Sequence, residues 1–208
     1  MDHTILPNGW VLSVGADITA LKRNEKSLRQ AHEVALMASR TDQLTGLPNR
    51  RRILDVLDEA LATDKATESR LCIAVIDIGQ FKAINDAHGH EAGDGVLRHF
   101  ADLCHERIQR QDMLGRMGGA EFLVVLPGTK PIEAEAIIGR IRDGFPLARL
   151  INDGIDLLYT FSAGIAEAVA GDDRSSILRR ADRALYTAKA TGRNCTRIDL
   201  EADTQLRG

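Results

Sequence analysis

Asp77 stands where a carboxylate could do chemistry. It follows the apolar run Leu71 to Ile76 and precedes Gly79. A carboxylate at the end of a buried strand reaches solvent at the sheet rim, where it is a hard oxygen ligand suited to Mg²⁺. It can equally be an ordinary strand-terminal cap. Next comes Gly79-Gln80-Phe81-Lys82-Ala83-Ile84-Asn85-Asp86. Glycine lets backbone amides approach an anion, and amides at a helix start can cradle phosphates. The run matches neither the P-loop nor the dinucleotide-binding pattern. Further on, Gly118-Gly119-Ala120-Glu121-Phe122 reads as a hairpin turn. It can lie beside the end of the Asp77 strand if the two strands pair; otherwise it is a plain hairpin with one exposed Glu. Lys189 and Arg193 flank the end of the last expected helix, where cations complement the helix dipole. They become phosphate ligands only if a nucleotide lies nearby. His88-Gly89-His90 has the residue types of a metal site, but two histidines two positions apart without a third partner favour a structural role.

The elements that must position these groups are legible from periodicity. Apolar spacing predicts helices over Arg51 to Leu61, Asp94 to Gln109, Ile132 to Arg142 and Ser175 to Ala190, with one or two helical turns over Phe81 to Ala87. Leu71 to Asp77, Met113 to Met117, Glu121 to Leu126 and Tyr159 to Ala168 read as strands, the last with a bend at Gly164. Cys195 to Leu200 reads as a short final strand. The glycine pair at 118–119 marks a tight hairpin, because the favoured two-residue turns need positive φ. Gly192 reads as the cap of the last helix. Hairpins mixed with helical crossovers predict an α+β fold with a central, mostly antiparallel sheet flanked by helices.

Ahead of this domain, residues 1–18 read as a fragment with one strand from Trp10 to Gly15. A helix is expected from about Ala20 to Arg40. Leu21, Leu28 and Ala35 recur every seven residues, a weak two-stranded coiled-coil pattern, and a solvated linker helix explains it as well. The domain then runs over 41–200, followed by a short tail at 201–208.

Bulk properties exclude several classes. The chain has 208 residues, 44% hydrophobic and 27% charged, which is globular composition. Its net charge of −3 gives no electrostatic case for a nucleic-acid partner. Three scattered cysteines fit a reducing, cytoplasmic setting. No apolar run approaches the roughly 20 residues of a membrane span.

Together the motifs resemble the GGDEF family of diguanylate cyclases, over about Thr41 to Arg197. The resemblance rests on Thr41-Asp42-Gln43-Leu44-Thr45-Gly46-Leu47-Pro48-Asn49-Arg50, Ile76-Asp77-Ile78, Phe81-Lys82 with Asn85-Asp86, and Gly93-Asp94. It continues through Arg116, Gly118-Gly119, Glu121-Phe122, Ser162-Ala163-Gly164, Ala188-Lys189 and Gly192-Arg193-Asn194. It implies a fold like the palm of nucleotidyl cyclases and a reaction joining two GTP molecules into cyclic di-GMP across a homodimer. It further implies metal ligation by Asp77 and the Ile78 carbonyl, guanine recognition by Asn85 and Asp94, and phosphate contacts from Lys189, Arg193 and the amides around Gln80 and Phe81. The N-terminal segment resembles the tail of a PAS sensor followed by a signalling helix. That implies an upstream sensor domain, a homodimer through this helix, and a chain that is a piece of something longer.

Three positions depart from the family pattern. Ala120 stands where the family has an acidic metal ligand, and a methyl group cannot coordinate a cation. Gly79 replaces a second Asp. In the inhibitory motif Arg-x-x-Asp, Asp112 matches but Gln109 replaces the Arg. The expectation is a retained GTP-like pocket with Mg²⁺ binding weakened or lost. Glu121 is the one nearby acid that could substitute, and strand alternation is expected to turn it away from the site.

Overall fold

The computed structural model describes residues 2–5, 11–14, 19, 21–26, 28, 40–67, 70–144, 150–152 and 155–199. The chain divides into two units, residues 1–39 and 40–208. In the first, β1 (Asp2–Ile5) and β2 (Val11–Val14) form an antiparallel hairpin. The sequence reading found only the second strand. A lone strand leaves its backbone groups unpaired, and β1 satisfies them. Residues 21–26 are helical, and Leu21 and Leu28 are exposed. Ala35, the third member of the heptad reading, lies outside the described residues.

The second unit runs α1 (Arg50–Thr67), β3 (Leu71–Ile78), α2 (Phe81–Arg107), β4 (Met113–Gly118), β5 (Glu121–Pro127), α3 (Pro131–Asp143), β6 (Leu150–Asn152), β7 (Ile155–Leu157), β8 (Phe161–Glu167), α4 (Arg174–Ala190) and β9 (Thr196–Ile198). Five strands form one sheet in the order β4-β5-β3-β8-β9. All its neighbours pair antiparallel except β8 with β9. The α+β expectation with a mostly antiparallel sheet is met.

β3 lies at the centre, and its side chains alternate between two apolar clusters, as the two-residue strand period demands. Cys72, Ala74, Ile76 and Ile78 pack with Val96, Leu97 and Phe100 of α2 and with Ile137, Ile138 and Ile141 of α3. Ile73 and Val75 pack with Ile53 and Leu57 of α1 and with Ile177, Ala181 and Leu185 of α4. Burial on both faces explains why β3 reads as a continuous apolar run. Phe100 and Phe122 meet at 4.5 Å between ring centroids in the first cluster, which supplies packing that a chain with few aromatics must concentrate.

The short helical turns and the long helix expected around residues 81–109 are present as two stretches of α2, separated at Gly89, whose φ 83° and ψ 167° are not helical. Residues 88–93 are polar or small and carry little apolar periodicity, and the sequence pattern breaks where the chain does. One expectation is corrected. The bend expected at Gly164 is absent: Gly164 pairs in register with Val75 on one side and Arg197 on the other. Its glycine is required by α4. A Cβ there would sit 2.1 Å from the Ala181 carbonyl oxygen and 2.2 Å from the Leu185 amide nitrogen.

α4 starts cleanly because Asp173 caps it, accepting from the Ser176 amide at 2.7 Å while the Ser176 hydroxyl accepts from the Asp173 amide. It ends at Ala190 and Thr191, and Gly192 just beyond takes φ 116° as the sequence led one to expect. The β6–β7 hairpin is an element the sequence reading missed, although Asp153-Gly154 between the strands carries a hairpin signal.

Candidate active site

The site forms at the end of the sheet where β3 meets the β4–β5 turn. β3 and β5 pair over their whole length, and the ladder reaches Asp77 opposite Glu121. One step further, the Ile78 amide donates to the Ala120 carbonyl at 3.2 Å. The glycine hairpin expected from the sequence is therefore present, with Gly118 and Gly119 at φ 136° and 53°, and it does lie beside the Asp77 strand end.

This register corrects the expectation for Glu121. Residues directly opposite each other on an antiparallel pair share a face, with Cβ atoms about 5 Å apart. Glu121, exposed at the start of β5, is thus the cross-strand neighbour of Asp77. Ala120 lies beside Ile78 and packs partly buried against the α2–α3 cluster. Alternation does separate Glu121 from Ala120, but only register decides which of them accompanies Asp77.

Asp77 is engaged. The Lys189 ammonium at the end of α4 stands 3.0 Å from Asp77 Oδ2, with the two side chains 34% and 23% exposed. Ala184, Leu185 and Ala188 are buried and set the rotation of α4 that brings Lys189 to the sheet rim. Just beyond, Arg193 and Asn194 take φ 60° and 46°, uncommon for non-glycine residues, and Arg193 is exposed.

On the other side of Asp77, Gly79 and Gln80 turn the chain into α2. The Gly79 amide donates to the Thr160 carbonyl at 2.7 Å. Gln80 adopts a left-handed conformation (φ 55°), and no side chain caps the start of α2. The first amides of a helix have no partner within it, and here a positive dipole end sits next to the Asp77–Lys189 pair. Phe81 opens α2 and packs against the α2–α3 cluster.

One turn on, Asn85 Oδ1 is buried without a hydrogen-bond partner among the described residues. Gly93 makes room for it: a Cβ at residue 93 would lie 1.9 Å from that oxygen and 3.2 Å from Phe81 Cζ. The break at Gly89 is what folds the second stretch of α2 back against the first, so that Asn85, Phe81 and Gly93 touch. Asp94 follows Gly93 and is partly exposed. A buried polar atom left unpaired costs about 1–3 kcal/mol, so this orphaned carbonyl is where an incoming donor would be most favoured.

Sequence reading missed what supports the turn. Arg116 on β4 holds both Asp42 oxygens at 3.1 Å and donates to the Gly119 carbonyl at 3.1 and 2.9 Å. Asp42 also accepts from the Thr45 amide and hydroxyl. Burial raises the Asp42 pKa, yet the Thr45 and Arg116 hydrogen bonds outweigh it and hold the carboxyl below the usual carboxylate range. Both residues were quoted as motif members, but nothing in their spacing shows that they meet.

Asp112 is buried. It closes a turn by accepting from the Gln109 amide at 2.9 Å, and its other oxygen has no partner among the described residues. Burial pushes its pKa up, against smaller lowering effects from Gln109 and Arg140. Asp112 itself lines a cavity of about 510 Å³, together with Gly46, Pro48, His105, Gln109 and Arg110 among others.

The donor set is depleted for a pair of divalent ions. Mg²⁺ is held through one or two carboxylates together with waters and substrate phosphates. Here Asp77 is bound to an ammonium, Glu121 is its exposed neighbour across the strand pair, residue 120 offers a methyl, and residue 79 offers no side chain. Among the described residues, no three His, Cys, Asp or Glu side chains gather as a metal site. His88 and His90 belong to no such group.

Comparison with known proteins places this geometry. The family model described as "Diguanylate cyclase, GGDEF domain" matches residues 39–195. Diguanylate cyclase DgcP of Pseudomonas aeruginosa is 34% identical over 193 residues, covering 93% of this chain and 29% of that protein. Response regulator PleD of Caulobacter vibrioides is 39% identical over 178 residues, covering 83% of this chain and 39% of that protein. The chain thus spans less than two-fifths of these relatives. The crystal structure of the coiled coil and GGDEF domain of DgcB from Caulobacter crescentus, in complex with c-di-GMP, superposes with a TM-score of 0.83 at 31% identity, over 87% of this chain and 96% of that one. A five-stranded sheet with a glycine-turn signature at its end, matched along three-quarters of the sequence, leaves one conclusion: the chain belongs to the GGDEF diguanylate cyclase family.

Proposed function

We propose that this is a catalytically impaired GGDEF domain that keeps a GTP-binding pocket and relays a signal in cyclic di-GMP pathways. The observation that carries the proposal is the Lys189–Asp77 ion pair, formed where residue 120 supplies only a methyl group. GGDEF cyclases generally use Mg²⁺, and their chemistry is largely positioning and charge stabilisation by metal. Losing a charge-stabilising group typically costs on the order of a hundredfold or more in rate. The pocket side of the proposal rests on Asn85 Oδ1, on Asp94 nearby and on the uncapped start of α2. Guanine edge and phosphates would meet these groups, with Lys189 and Arg193 as cationic contacts.

Upstream, residues 1–18 fit a PAS-like tail and the helix after it a signalling linker that pairs two copies, a reading supported by exposed Leu21 and Leu28. Among the described residues no helix is long and apolar enough to cross a membrane.

A second reading is a slow cyclase that recruits Glu121. It is favoured by the register that sets Glu121 opposite Asp77, and it requires Lys189 to release Asp77. One purified sample separates the readings. GTP with Mg²⁺ or Mn²⁺ is expected to give no cyclic di-GMP above a trace, while calorimetry detects GTP binding. Sustained product formation would establish the cyclase; absence of both product and binding would leave a scaffold.

A further inference from the structure

We propose that Lys189 is the resident cation of this site, so that the pocket takes a nucleoside triphosphate without a divalent metal. The proposal rests on the GTP-pocket reading and goes beyond it by naming the ligand form.

The argument begins with charge. Without a metal, Asp77, with Glu121 across the strand pair, would face an incoming triphosphate unneutralised, and like charges a few ångströms apart in a partly buried site repel strongly. Lys189 removes that repulsion before the ligand arrives, its ammonium 3.0 Å from Asp77 Oδ2. An ammonium carries three N–H donors and no acceptor. Asp77 takes one, which leaves two to face phosphate oxygens from the same position. The pair is held by the sheet on one side, where Asp77 is locked in the ladder with Glu121 and Ser162. On the other it is held by the buried Ala188 beside Lys189. Lys82, exposed in the first turn of α2, and Arg193, exposed after α4, add positive charge at the rim. Oxygens for a divalent ion are few: Asp77 is taken by the ammonium, the Ala120 carbonyl accepts from the Ile78 amide, residues 79 and 120 bring no side-chain oxygen, and Glu121 is the carboxylate across the strand pair.

The same pair makes Asp77 a competitor for Lys189 rather than a support for the ligand. Replacing Asp77 by Asn keeps shape, removes the negative charge and frees the third ammonium donor.

The test is GTP titration by calorimetry on the whole chain, in excess EDTA and again in Mg²⁺, for the native protein and for Asp77→Asn, Lys189→Met and the double variant. Thermal melts confirm that each is folded. Expected are Kd values in EDTA within about threefold of those in Mg²⁺, and tightening of roughly threefold or more in Asp77→Asn. Lys189→Met should weaken binding about tenfold, with partial recovery in the double variant because no uncompensated carboxylate remains. Binding only in Mg²⁺, weakened by Asp77→Asn, would overturn the proposal by making Asp77 a metal ligand, and would leave the GTP pocket standing. No GTP binding in either buffer by any folded variant would overturn the pocket and the proposal together.

Discussion

Arg116 grips Asp42 through one guanidinium nitrogen, 3.1 Å from each carboxylate oxygen, and reaches the Gly119 carbonyl with the other two. The loop that precedes α1 and the turn that carries the signature are thereby one structural unit. The side chains are only 14% and 23% exposed, so solvent screens the contact less than it would an exposed pair. Arg116→Ala should lower unfolding free energy by about 1–3 kcal/mol in urea titrations. Arg116→Lys should recover little of it, since a point-like ammonium cannot span both partners. Full recovery by Lys would refute the forked role. Because the Asp42 pKa is lowered on folding, its contribution is complete above the unfolded value of about 3.8 and fades as pH falls through the lowered folded value.

Gly93→Ala separates binding from stability. The new Cβ would meet Asn85 Oδ1, the end of a side chain, rather than backbone. The Asn85 amide is expected to swing away, with GTP affinity falling at least tenfold while the melting temperature moves by only a few degrees. A large loss of stability with unchanged GTP affinity would show that Asn85 plays no part in the pocket.

Restoring acid at residue 120 should matter more than at residue 79. Ala120→Asp is expected to raise cyclic di-GMP formation by on the order of a hundredfold over the native chain. Adding Gly79→Asp should help less, because its Cβ would lie 3.1 Å from Thr160 Oγ1 and 3.3 Å from the Thr160 carbonyl. Product assays over Mg²⁺ and Mn²⁺ read this directly, and no gain from either change would count against loss of the acidic ligand as the reason for impairment.

His99 supplies a pH-dependent element away from the site. Its Nδ1 lies 2.6 Å from the Tyr159 hydroxyl. Burial, helped by Arg107 and opposed by Asp102 and Glu106, lowers its pKa from 6.5. A lowered folded pKa means the stabilisation is complete above about 6.5 and is lost as pH falls through the folded value. Melting temperature should therefore drop more steeply below pH 6.5 in the native protein than in His99→Gln. Parallel profiles for the two would remove His99 from the account.

Much of the scaffold was readable in advance. The uninterrupted apolar run of β3 announced a strand buried on both faces, and Gly118-Gly119 announced the turn beside it. The helices α1 and α4 followed from apolar spacing. The two stretches of α2 were legible too, because the apolar pattern is interrupted at Gly89 and its polar neighbours, where the backbone leaves helical geometry. Gly164 was misread because a strand glycine can mean a bend or a close approach, and only the backbone of α4 shows which.

At the site, the sequence by itself determined which chemical groups exist: carboxylates at Asp77 and Glu121, a methyl at Ala120, no side chain at Gly79, and a Lys and an Arg around the end of the last helix. Tertiary structure alone decided how they face one another. Side chains alternate along a strand, so a slip of one residue between β3 and β5 would exchange Glu121 for Ala120 as the partner of Asp77, and no local pattern records that register. The Lys189–Asp77 pair is likewise a product of packing, because the buried face of α4 sets its rotation and thereby carries the ammonium to the end of β3.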